Sequence, residues 1–204
     1  MAGRRWMERV RPQPLTSPTT SKSQSAPWSI VLPLVLVGIA WLQELIDAAL
    51  FAGRWNLPLA PGSPWWTLLT APFSHGGMGH LLTNTLIFLP LSYLVISQGL
   101  RAYLWVWAGV IVMEIPIWLF WPVGSHGLSG VVYGLLGYLV LIGIIERRPI
   151  SLMLTVLVIS LYGSSLVGLL PWATPPGVSW IGHFSGFIGG VLAAFGCARN
   201  PEPS

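Results

Sequence analysis

An all-α membrane protein, a bundle of six transmembrane helices with a partly embedded first outer loop, is the architecture the sequence predicts. Three observations lead there. Hydrophobic residues make up 53% of the 204 positions and charged residues only 8%, against about 25% charged in an ordinary soluble domain. Six apolar segments, near 28–50, 79–99, 102–121, 127–145, 150–170 and 179–198, each approach the ~20 residues a helix needs to cross hydrocarbon. The connection from 51 to 78 is too rich in Pro and Gly to be one helix, and too apolar for a solvated linker. Non-helical backbone survives at membrane depth only where protein or a wet cavity surrounds it.

Charge orients the spans. Arg4, Arg5, Arg9, Arg11 and Lys22 precede the first, Arg101 separates the second from the third, Arg147 and Arg148 follow the fourth, and Arg199 follows the sixth. Nine of the ten basic residues thus share one side, with Arg54 alone opposite. The positive-inside rule makes that side cytoplasmic, with both termini on it. Residues 1–27 read as a disordered basic cytoplasmic tail, 28–198 as the six-span core and 199–204 as a short cytoplasmic tail. Twelve Trp suit two interfacial belts.

Several functions are excluded. The basic residues form no aromatic-flanked stripe, so no nucleic-acid partner is expected. One cysteine, Cys197, permits neither an internal disulfide nor a multi-cysteine metal site. The four histidines fall in no HExxH pattern, and a catalytic zinc needs three protein ligands around an open position. Neither metal nor cofactor is expected. His75 and His126 read as loop residues; Glu44, Asp47 and Glu114 read as groups bonding loop backbone or lining a water entrance.

The polar residues that remain lie at one depth. Spans two, four and six run inward from the outer face. His80 and Asn84 stand in the first turns of span two, Ser129 at the start of span four, and His183 about one turn into span six. Polar groups in a membrane are expensive and face the bundle interior. His80 and Asn84, four apart, share a helix face. Glycines at 182, 186 and 190, and at 130 and 134, form small-residue stripes that let helix backbones approach. A hydroxyl and an imidazole brought within about 2.6–3.2 Å make a nucleophile and its base. Ser129 is therefore the candidate nucleophile and His183 the candidate general base. His80, Asn84 and a backbone N–H at the start of span four are candidate oxyanion donors. No carboxylate orienter is expected, since span six and the loop before it hold neither Asp nor Glu.

"HGGMGHLLTN", "GLSGVVYGLLGY" and "GHFSGFIGG", in that order in spans two, four and six, resemble the rhomboid intramembrane serine proteases across roughly 28–198. The resemblance implies that Ser129 of the GxSG motif is the nucleophile and His183 the base of a Ser–His dyad. It implies that His80 and Asn84 of HxxxN help form the oxyanion hole, and that Tyr133 stacks beneath the His183 ring. It further implies cleavage of transmembrane protein substrates in or near their spans, within a lipid bilayer; the charge bias and the short tails suggest a bacterial plasma membrane. The family's Trp-Arg pair in the first outer loop is Trp66-Thr67 here, which leaves the loop's anchoring open. Two rivals stand beside this reading: a catalytically silent relative that binds and escorts transmembrane clients, and a small transporter or channel. The oligomeric state is not written in the sequence.

Overall fold

The computed structural model describes residues 28–199; the two tail segments read from the sequence lie largely outside these residues. Among the described residues six helices are long and apolar enough to cross a membrane, and there is no strand beyond one isolated bridge. They are α1 (Trp28–Ile46, continued by a π-turn at Asp47–Phe51), α3 (Met78–Ile96), α4 (Leu100–Phe120), α5 (Ser129–Glu146), α6 (Pro149–Tyr162) and α7 (Trp180–Arg199). The short α2 (Thr67–Thr70) lies in the first loop, and a 3-10 turn, Gly163–Leu169, continues α6.

The solvent explains the surface. Leu86, Phe120, Ile150 and Met153 lie well exposed, an arrangement lipid favours and water penalises. α5 is the opposite: from Gly130 to Leu139 every residue is buried, because α3, α4, α6 and α7 surround it. Its glycines permit that crowding. Side-chain carbons added to Gly186 and Gly190 of α7 would strike the Gly130 and Gly134 carbonyls of α5, and one on Gly109 of α4 would strike the Gly189 carbonyl. On its other flank α5 meets α6, where the Thr155 hydroxyl donates to the Leu139 carbonyl at 2.7 Å.

The first loop is folded against the bundle. Leu59 pairs with Ser125 through two backbone hydrogen bonds of 2.8 and 3.1 Å, tying the loop to the turn before α5. Asp47 accepts the Trp55 N–H at 2.7 Å, and Gln43 donates to the Trp55 carbonyl at 2.9 Å. Thr67, where the rhomboid pattern has arginine, is buried. Its hydroxyl donates to the Pro64 carbonyl at 2.7 Å and meets the Ser63 hydroxyl at 2.9 Å, while the Trp118 indole of α4 donates to the Ser63 carbonyl at 2.7 Å. A short hydroxyl network and one indole anchor the loop without a guanidinium.

Candidate active site

Each candidate residue sits at a helix start whose local sequence explains the start. Gly77 and Gly127, at φ +126° and +107°, turn the chain into α3 and α5 through a region closed to most L-residues. Ser179 opens α7: its hydroxyl accepts the Gly182 N–H at 3.3 Å, an N-cap bond. His80, Ser129 and His183 consequently occupy the first turns of their helices, and Asn84 lies one turn beyond His80.

His183 is buried and held from two sides. Its ring stacks on Tyr133, with centroids 4.2 Å apart and planes inclined by 17°. Its Nδ1 lies 3.0 Å from the Gly168 carbonyl. A carbonyl only accepts, so Nδ1 carries the proton and Nε2 keeps the lone pair. The Tyr133 hydroxyl in turn donates to the Ser165 carbonyl at 2.6 Å. The 3-10 turn after α6 therefore orients both rings through its backbone. A side chain at position 168 would run into the Tyr133 hydroxyl and come within 3.3 Å of His183 Nδ1.

His80 and Asn84 converge on Gly127, two residues ahead of Ser129. A carbon built on Gly127 would lie 3.1 Å from His80 Cε1 and 3.6 Å from Asn84 Nδ2. Asn84 is buried, and its amide nitrogen finds no acceptor among the described residues. Ser129 is half-buried. Among the described residues no hydrogen bond joins its hydroxyl to the His183 ring, whose one bond is that from Nδ1. Catalytic hydrogen bonds are often long before substrate binds.

Two residues that sequence reasoning passed over belong to this architecture. The Gly168 carbonyl orients the imidazole, and nothing in a glycine's identity marks its carbonyl. His75 read as a loop residue and is wholly buried. Its Nε2 accepts the Leu128 N–H at 3.2 Å, one residue before Ser129. That hydrogen bond requires the neutral ring, and burial, followed by the neighbouring His80, pushes the His75 pKa down to about 4. Between the ordinary value near 6.5 and about 4 the unfolded chain binds a proton that the folded one refuses, so stability falls as pH falls through that window. The loss is at most roughly 3 kcal/mol. Below about pH 4 the folded ring is protonated as well and gives up the Leu128 N–H. A His75→Gln variant, able to accept the same N–H without titrating, is expected to show a flatter melting temperature between pH 6.5 and 4.5; an unchanged slope would remove His75 as its source.

Known proteins place the chain. A family profile described as Rhomboid domain matches residues 62–200. An uncharacterized protein of Mycobacterium tuberculosis is 31% identical over 194 residues, covering 88% of this chain and 80% of its own. One of Mycobacterium leprae is 31% identical over 191 residues, 87% and 76% of the two chains. Rhomboid protease GluP of Bacillus subtilis is 30% identical over 151 residues, 71% of this chain and 28% of its own. Six spans and a profile match over most of the core make this chain an integral membrane protein of the rhomboid family.

Proposed function

We propose that this rhomboid is a serine endopeptidase that hydrolyses peptide bonds in or near the transmembrane segments of other proteins. One observation carries the reading: the buried Asn84 amide nitrogen, without an acceptor, beside His80 and the start of α5. A buried donor left unpaired costs about 1–3 kcal/mol, and such groups gather where chemistry later uses them. Ser129 attacks the scissile carbonyl carbon as His183 Nε2 takes the hydroxyl proton. The negative charge that forms on the carbonyl oxygen is met by Asn84, by His80 and by the Ser129 N–H, the Leu128 N–H being engaged by His75. Collapse expels the amine, which receives the proton from His183, and water then releases the acyl group by the same steps. The Gly168 carbonyl does here what a carboxylate does in a triad, holding the base in one tautomer. Tyr133 fixes the ring plane. The arginine bias supports an orientation with both termini in the cytoplasm and the site under the outer face of the membrane, which we take to be a bacterial plasma membrane.

The test is covalent. A fluorophosphonate probe is expected to label the purified protein at Ser129, and His183→Ala is expected to abolish the labelling. Absence of label from well-folded protein would leave the silent, client-binding reading in its place.

A further inference from the structure

Among the described residues Arg101, Arg147 and Arg148 gather at the end of the bundle away from the site. There a cavity of about 680 Å³ opens between the C-terminal ends of α3, α5 and α7 and the first turns of α4 and α6. Arg101 and Arg148 line it, the first inside the first turn of α4 and the second immediately before α6. Among the described residues neither guanidinium has a hydrogen bond or ion pair. The Ile150 and Ser151 portion of the wall belongs to the first turn of α6, where backbone N–H groups lack intrahelical acceptors and the helix dipole favours an anion. One carboxylate shares the wall, Glu146, and it accepts the Ser151 hydroxyl at 2.7 Å. Arg101 and Arg148 against one carboxylate, itself engaged by the Ser151 hydroxyl, leave this cup a surplus of positive charge that attracts an anion.

A second hollow, about 560 Å³, adjoins it through Arg101. Leu100, Leu104, Trp105 and Ala108 form its walls, one stripe along the outer face of α4 at helical spacing. Leu104 and Trp105 are exposed, so this groove faces lipid. A free phosphate would use the cup and leave the groove idle, whereas a molecule with an anionic head and an aliphatic tail fits both. We infer that this rhomboid holds an anionic phospholipid here, its phosphate in the cup with Arg101 and Arg148 and an acyl chain along α4. The inference stands apart from the protease reading, since it concerns the opposite end of the bundle and needs neither Ser129 nor His183. Basic pockets between transmembrane helices suit phosphate headgroups. The Arg101 stem lies along apolar surface while its head meets the phosphate.

The experiment uses the full chain purified in neutral detergent, with melting temperature and native mass spectrometry as readouts. Added phosphatidylglycerol is expected to raise the melting temperature by roughly 5 °C near saturation and to remain bound in the mass spectrum. Phosphatidylcholine and inorganic phosphate are expected to do neither. The double change Arg101→Gln and Arg148→Gln should weaken phosphatidylglycerol binding about tenfold or more. Ala108→Trp, which keeps both guanidiniums and fills the groove, should weaken it too. Equal effects of phosphatidylcholine, or equal protection by phosphate alone, would overturn the proposal on the wild-type chain without recourse to variants. Undiminished binding by folded forms of both variants would overturn it as well.

Discussion

Replacing Ser129 with alanine is expected to reduce hydrolysis of a fluorogenic transmembrane substrate to background, a loss of about 10⁴–10⁶-fold, with the fold intact. Each tenfold is about 1.4 kcal/mol of transition-state stabilisation, so no packing change of one hydroxyl accounts for such a loss. The side chain is half-buried and joins no hydrogen bond with His183, so its removal leaves no buried partner stranded. Melting temperature should therefore move little while activity disappears. Cleavage at even a tenth of the wild-type rate by the Ser129→Ala protein would take the nucleophile's role from this residue. The contrast between the two readouts separates chemistry from folding.

The second large effect is structural. Gly186→Val is expected to destabilise the bundle by about 3 kcal/mol or more, the upper reach of overpacking costs, and to abolish probe labelling at Ser129. The reason is what the added carbon meets. At Gly186 it meets the Gly130 carbonyl, carbonyl carbon and Cα, and at Gly190 the Gly134 carbonyl and the Tyr138 amide nitrogen. These are backbone atoms of a buried helix, which cannot swing aside as a side-chain tip does, so α5 and α7 must part. Gly130 follows Ser129 in the chain, and Gly186 lies three residues beyond His183. Parting the helices therefore separates Ser129 from His183. Gly38 of α1 supplies the control: a carbon added there meets nothing within 4 Å, and Gly38→Ala should be neutral or stabilising by about 0.5–1 kcal/mol. Equal melting temperatures for Gly186→Val and Gly38→Ala, measured in the same detergent, would contradict the packing argument.

Much of this architecture was legible before any coordinates. Span limits follow from the length of helix that hydrocarbon demands, and the six helices begin and end within a few residues of the apolar runs. The close meeting of α5 with α7 was written in the glycine stripes, because only a missing side chain permits such approach. The convergence of His80 with Asn84 on one face was equally plain from their spacing of four. The Tyr133 stack entered through family resemblance, since no local pattern announces which ring lies under an imidazole. The hydroxyl–imidazole hydrogen bond expected from spacing is not formed among the described residues, where the one hydrogen bond of the His183 ring is that from Nδ1 to the Gly168 carbonyl.

By itself the sequence determined which segments are long and apolar enough to cross a membrane, which helices can touch, and which polar side chains stand near the starts of their helices. These are consequences of length, periodicity and the cost of polarity in lipid, all local quantities. Tertiary structure alone decided that the Gly168 carbonyl orients His183, that buried His75 engages the residue before Ser129, and that Ser63, Thr67 and Trp118 anchor the first loop. It alone opened a polar cup beside Arg101 and Arg148. Those outcomes rest on backbone groups that every residue carries and on segments distant in sequence, so they come into being only when the helices pack.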